Sequence, residues 1–274
     1  MILGILGKGG SGKTTTATLL TQTLNARGSR VLAIDADHNM DLAYNLGFTE
    51  PFPYFGSSLG ALTKHIGLQE GAPYRSAFNN APHADHFSMQ PDAYTSEYSQ
   101  KLNSGVRLMV AGPHTDSILY DESCSHVLTT PLKVYLPFLK LDANEYAIVD
   151  EKAGLDGVGT GVTTGFTAAL VVAEPKPHSI KVAKQIAELL KFYETPYAFV
   201  LTKVLGDADR ELGRAAFGDQ LIATIDFAAD VPSTDEGLVA AVCGFGKRVS
   251  LAGDTRLARS RAKIERNSSY QTSH

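Results

Sequence analysis

The residues with the most evident chemical purpose lie between Gly7 and Thr14, in the stretch GKGGSGKT. Read as G-x-x-x-x-G-K-[ST], Gly7 and Gly12 bracket a turn in which Lys8, Gly9, Gly10 and Ser11 allow several backbone N–H groups to point inward, the arrangement that cradles phosphates. Lys13 is placed to reach the β and γ oxygens of a nucleoside triphosphate, and Thr14, followed by Thr15, to ligate Mg2+. One lysine satisfies the pattern, so Lys8 is surplus to the needs of a single chain. Carboxylates follow at Asp35, Asp37 and Asp41 in AIDADHNMD, and again at Asp150 in EYAIVDEKAGLDG. Acids at the carboxyl end of a strand beside a phosphate loop can hold Mg2+, and can orient or deprotonate an attacking water. Asp41 equally suits the first turn of a helix. Gly154 and Gly157 give the loop after Asp150 the freedom to sense a γ-phosphate.

These groups need a scaffold, and the flanking patterns supply it. MILGIL before the glycine loop suits a buried strand, and TTTATLLTQTLNARG after it puts Ala17, Leu20 and Leu24 on one helical stripe ending at Gly28. Further apolar runs occur at 30–35, 106–111, 146–150, 168–173, 197–202 and 221–225. In the segment 178–194, Ile180, Ala183, Ile186, Ala187 and Leu190 keep a helical stripe. Continuous apolar strands alternating with helices predict an α/β fold: a doubly wound, mostly parallel sheet of about seven strands with helices on both faces. The site is then expected at the carboxyl ends of the strands. One domain is expected over 1–266, with a disordered tail at 267–274. Residues 49–104, rich in Pro, Gly, Ser, Asn, Tyr and His, read as an irregular excursion over the active face, or as a surface insertion, with one short helix near SLGALTKHIG.

Composition narrows the function classes. At 274 residues and 43% hydrophobic the chain can bury one large core. A net charge of −4 and a pI near 6.1 provide no general attraction to nucleic acid or anionic lipid. Two cysteines, Cys124 and Cys243, make no secreted disulfide framework, and the first residues lack a signal peptide's charged region and cleavage site. No apolar run approaches the ~20 residues of a membrane span. A soluble, cytoplasmic protein is expected.

Taken together, these residues resemble the deviant Walker A motif of the MinD/ParA/nitrogenase-iron-protein class of P-loop ATPases. The resemblance implies slow, Mg2+-dependent ATP hydrolysis within an ATP-closed homodimer in which Lys8 reaches the partner's nucleotide. It also places the catalytic acid 24 residues after Lys13, at Asp37. Within the class, RVLAIDADHNMDLAYNLG, VRLMVAG, YAIVDEKAGLDGVGTG and AALVVAEPKPHSIKVAKQIAEL look most like the CooC group, the nickel-insertion ATPases of carbon monoxide dehydrogenase. That similarity runs from Met1 to about Lys203 and implies a metallochaperone or maturation factor serving a client metalloenzyme. The alternative reading is a ParA/MinD-like partitioning or positioning ATPase acting on DNA or a protein scaffold. A metabolic P-loop enzyme has no need of the second lysine.

The sequence also departs from those relatives. Where CooC proteins carry Cys-x-Cys, this chain has Cys124 and His126, with His114 and Asp116 nearby. One such pair from each of two subunits would give a Cys2His2 set suited to Zn2+ or Ni2+. A site lost in this branch is the other reading. His65, His83 and His86 are expected at the surface. Where ATP-binding relatives show Asn-Lys to read adenine, this chain has Thr202 and Lys203. Leu205 supplies no carboxylate for guanine, so ATP rather than GTP is expected. The basic residues Lys247, Arg248, Arg256, Arg259, Arg261, Lys263 and Arg266 read as a solvated helix face or, alternatively, as a DNA patch. The helix has too few bulky apolar residues to lie on a membrane.

Overall fold

The computed structural model describes residues 1–273 except 51, 70, 81–85, 91, 115–124, 160, 229–233 and 252. Its strands are β1 (Ile2–Gly7), β2 (Arg30–Asp35), β3 (Phe87–Ser88), β4 (Gln100–Lys101), β5 (Arg107–Val110), β6 (Leu139–Lys140), β7 (Glu145–Asp150), β8 (Ala168–Ala173), β9 (Tyr197–Val204) and β10 (Leu221–Asp226). The helices are α1 (Lys13–Ala26), α2 (Asp41–Asn45), α3 (Leu59–His65), α4 (Ala77–Asn80), α5 (Ala93–Tyr98), α6 (Leu132–Tyr135), α7 (Asp156–Gly159), α8 (Pro177–Phe192), α9 (Asp207–Phe217), α10 (Glu236–Ser250) and α11 (Arg256–Ser273).

The main sheet runs β10-β9-β8-β1-β7-β2-β5-β4, and every pairing in it is parallel except that of β4 with β5. All seven expected strands are present. The eighth, β4, is two residues long and antiparallel at the edge, too short to leave a periodic signal. Alternation along the central strands sorts the apolar residues onto two faces. Leu3, Ile5, Val31, Ala33, Ile148 and Leu170 join one cluster, covered by Leu20 and Leu24 of α1 and Leu238 and Val242 of α10. Ile2, Leu6, Leu32, Ile34, Val149 and Val171 join the other, under Ala183, Ile186 and Leu190 of α8. The stripes expected on α1 and α8 are therefore their buried faces.

Residues 49–104 are more ordered than their composition suggests. They contain α3, α4, α5, β3 and β4 and contribute Phe55, Phe87 and Tyr94, each 2% exposed or less, to the second cluster. Phe87 packs on Tyr135 of α6 with ring centroids 4.8 Å apart, and Thr95 shares a hydrogen bond of 2.9 Å with the Tyr135 hydroxyl. His65, exposed as expected, stacks on the Phe87 ring at 5.2 Å and pairs with Asp92 at 3.3 Å.

The C-terminal segment also differs from expectation. Helix α11 continues to Ser273, through residues expected to form a disordered tail. Of its arginines, Arg259 is buried and Arg256 half-buried, while Arg261 and Arg266 are exposed. Arg259 is 6% exposed and donates to the carbonyls of Glu194 and Phe166; Arg256 donates to Leu136 and Leu139, Arg261 to Phe78, and Arg266 to Phe192. These bonds fasten the helix to carbonyl oxygens of the body and take Arg256 and Arg259 out of the expected solvated face, which Lys247, Arg248, Arg261 and Arg266 still present. Among the described residues no helix is long and apolar enough to cross a membrane.

Candidate functional site

The glycine loop lies between β1 and α1, where close packing dictates its composition. A Cβ on Gly7 would stand 2.4 Å from the Val172 carbonyl oxygen, and Gly12 has φ +90°, a left-handed conformation that side chains disfavour. Gly12 occupies the cap position of α1 without any side-chain cap, so the first amides of the helix remain open to an anion. Lys13, the first helical residue, is buried. Lys8 is half-buried, and its ammonium donates to its own neighbour's carbonyl, Gly9 O, at 3.3 Å.

Register brings the acids to this loop. Asp35 and Asp150 are direct neighbours on β2 and β7. Thr14 Oγ1 donates to Asp150 Oδ2 at 2.7 Å, while the buried Oδ1 has no hydrogen-bond partner among the described residues. Burial pushes the Asp150 carboxyl up to about 6; the Thr14 hydroxyl and Lys13 ammonium oppose that, and Asp37 and Asp41 add to it. An unpartnered buried oxygen beside a threonine hydroxyl fits Mg2+, which Thr14 and Asp150 would hold.

Asp35 is occupied differently. Its Oδ2 accepts from Ala43 N at 2.8 Å and its Oδ1 from Asp37 N at 3.2 Å, so both oxygens brace the loop that carries Asp37. Burial raises its carboxyl to about 8. Expected as a Mg2+ ligand, Asp35 is thus placed as the support of the loop, whereas Asp41 stands exposed at the start of α2. Asp37 is 21% exposed and receives Asn39 N on Oδ1 at 3.2 Å. His38 lies 3.3 Å from that same Oδ1 and stacks on His114 at 4.0 Å. Burial lowers the His38 pKa; Asp37 opposes the shift, and His114 and Lys152 reinforce it.

The loop after Asp150 is tied to the glycine loop by Gly154 N donating to Gly7 O at 2.9 Å. Within it, Glu151 is 1% exposed, and burial raises its carboxyl to about 8 against the pull of the Lys152 backbone and charge. Sequence reasoning missed this group, because an acid directly after a strand ordinarily reads as exposed.

Thr202 and Lys203 brace the glycine loop from outside. Thr202 Oγ1 donates to Ser11 O at 2.6 Å and approaches Ala173 O at 3.3 Å. Lys203, at φ +56°, donates to Gly10 O at 2.6 Å and pairs with Glu174 at 2.6 Å. Glu174 was also missed, although the register Ala173 to Leu201 places it beside Thr202 at the strands' carboxyl ends. Thr15 is half-buried on the first turn of α1. Cys124 lies outside the described residues, as do Asp116 and His83, and His126 is described as part of the short turn Ser125–Thr129. Among the described residues no three or more His, Cys, Asp or Glu side chains gather as metal ligands.

This phosphate loop, with a carboxylate touching its threonine, lies in a stretch that matches the CobQ/CobB/MinD/ParA nucleotide binding domain over residues 2–237. The chain belongs to that family. An uncharacterized ATP-binding protein of Methanocaldococcus jannaschii is 28% identical to this CobQ/CobB/MinD/ParA member over 229 residues, 82% of this chain and 87% of the relative. The carbon monoxide dehydrogenase accessory protein CooC of Rhodospirillum rubrum is 28% identical over 193 residues, 70% of this chain and 69% of that protein. Among solved structures, the cell division ATPase MinD of Pyrococcus furiosus superimposes with a TM-score of 0.60 at 20% identity, covering 97% of this chain and 98% of that one. The family's fold and its nucleotide-binding character thus hold for this chain.

Proposed function

We propose that this chain is an ATP-driven, dimerising switch ATPase that serves as a maturation factor or metallochaperone for a metalloenzyme. The observation that carries the ATPase reading is the 2.7 Å contact of Thr14 with Asp150 beneath a loop whose helix amides are uncapped. Lys13 and the open amides of α1 would bind the β and γ phosphates. Bound Mg2+ would neutralise charge on the phosphates. Asp37, steadied by the Asp35 brace, keeps Oδ2 clear of the hydrogen bonds described and would orient the attacking water. Lys8, whose ammonium meets the exposed carbonyl of Gly9 and no other hydrogen-bond partner among the described residues, would serve the partner subunit's nucleotide. Exposed apolar side chains flank the site, Leu155 after Asp150 and Tyr44 on α2, as an interface between copies requires.

The maturation role rests on the similarity to CooC of Rhodospirillum rubrum. Cys124 and His126 would provide half of a shared Zn2+ or Ni2+ site, and the protein would work in the cytoplasm. Positioning on DNA or a protein scaffold is the competing role; a plasmid partition protein of Borrelia burgdorferi shares the fold at a TM-score of 0.56 and 15% identity. Phosphate release from ATP by the purified chain tests the first part: Mg2+-dependent turnover lost in Lys13→Ala supports it, and turnover indifferent to that change refutes it. Titration of Ni2+ and Zn2+ into the ATP-bound protein tests the second. Uptake of one ion per two chains, lost in Cys124→Ser, supports it; no uptake, with DNA retained at physiological salt, favours the positioning role.

A further inference from the structure

A polar cavity of about 200 Å3, lined by no glycine-loop residue, opens between α11, α6, Gly159 and Gly161. Three cations line it, Arg75, Lys133 and Lys263, together with Asn267, the hydroxyl pair Thr164 and Ser260, and the rings of Tyr74 and Tyr193. No carboxylate lines it, and none of the three cations has an ion-pair partner, among the described residues. Two other buried or half-buried cations have close partners: Arg256 pairs with Asp254, and Arg259 donates to two carbonyl oxygens.

The cations here are held by weaker means. Lys263 Nζ stands 4.7 Å from the Tyr193 ring centroid and reaches Gly159 O at only 3.4 Å. Lys133 and Arg75 lie 5.8 Å and 6.0 Å from the Tyr74 ring centroid. Burial, with Lys133 and Arg75 adding repulsion, pulls the Lys263 ammonium down to about 8. Like charges converging on a cavity with no carboxylate among its described lining residues create a place where an anion gains attraction from all three. Thr164 Oγ1 donates to Gly161 O at 2.9 Å and accepts from Ser260 Oγ, also at 2.9 Å, so both hydroxyl protons are committed and the cations supply the donors for an anion.

We propose that this cavity is a binding site for a small phosphate-bearing anion, separate from the nucleotide site and specified by Arg75, Lys133 and Lys263. Its volume is smaller than that of ordinary cofactor pockets, which begin at about 300 Å3, so it suits a phosphate ion or a short phosphate ester rather than a nucleotide.

The test is calorimetric titration of the full chain with inorganic phosphate and, separately, with glycerol 3-phosphate. It is done in the Lys13→Ala background so that the glycine loop does not compete. Saturable binding of one anion per chain is expected. Lys263→Gln and Lys133→Gln should each weaken it about tenfold or more, because a charge-assisted hydrogen bond is lost. Lys181→Gln, an exposed lysine of α8, should leave it unchanged. Tighter uptake of the ester would identify a phosphorylated metabolite as the ligand, and equal or tighter uptake of the bare ion would identify free phosphate. No saturable uptake by a variant that melts as the parent does, or uptake that Lys181→Gln reduces as much as Lys263→Gln does, overturns the proposal.

Discussion

Replacing Thr202 by valine isolates the brace that holds the glycine loop. The side chain keeps its shape and its fit to a strand, and loses only the hydroxyl that donates to Ser11 O at 2.6 Å and approaches Ala173 O at 3.3 Å. Thr202 is 4% exposed, so water cannot readily replace the donor, and a buried acceptor left unsatisfied costs about 1–3 kcal/mol. At roughly 2–4 °C per kcal/mol for a domain of this size, the thermal midpoint should fall by about 2–12 °C. The same carbonyl fixes the loop that receives phosphates. A loop freed from it must be re-ordered on binding, at a cost of about 1 kcal/mol, or about fivefold in ATP affinity. Differential scanning calorimetry and ATP titration measure the two effects, and Thr202→Ser, which keeps the hydroxyl, should remain close to wild type in affinity. A Thr202→Val chain that melts and binds like the parent refutes the reasoning. So does a serine variant that binds ATP as poorly as the valine one, which would assign the effect to the lost methyl contact.

Further outcomes follow from the site. Asp37→Ala should bind ATP normally and lose turnover; measured turnover persisting in that variant removes Asp37 from the chemistry. Without nucleotide or Mg2+, the raised carboxyls of Asp35, Asp150 and Glu151, at about 8, 6 and 8, bind protons more tightly in the folded than in the unfolded chain. The stability they confer is therefore complete below about pH 4 and is lost as pH rises through 6 to 8, so the midpoint should decline over that window and Glu151→Gln should flatten the decline. A midpoint that rises from pH 5 to 8 contradicts this. Arg259→Met should destabilise the chain by about 2–4 kcal/mol in denaturant titration, since the carbonyls of Glu194 and Phe166 lose their buried donor; an unchanged midpoint would mean that α11 is held by other contacts.

The strands and the phosphate loop were legible because their signals are local. MILGIL, the glycines and the stripe Ala17, Leu20 and Leu24 each lie within one element, and the acids follow their strands directly. The remainder depended on what meets across the fold. Thr202 and Lys203 read as base contacts by analogy, yet the register of β8 and β9 turns them onto the backbone of the glycine loop. Asp35 reads from the sequence as a Mg2+ ligand, and only the backbone amides of Ala43 and Asp37, which bind its two oxygens, make it a brace. Arg256 and Arg259 of α11 look like part of a surface patch until their carbonyl partners, drawn from distant segments, are seen. Phe55, Phe87 and Tyr94 are scattered through a polar stretch without periodicity, so the packed layer they build had no sequence signature.

The central claim is that ATP closes two copies of this chain around Lys8. Sedimentation velocity of the full chain with Mg2+ and a non-hydrolysable ATP analogue tests it most directly. Wild type should shift from monomer to dimer on adding the analogue, and Lys8→Ala should bind the analogue with near-parental affinity and remain monomeric. A wild-type chain that stays monomeric when saturated, or a Lys8→Ala chain that dimerises equally well, would contradict the account.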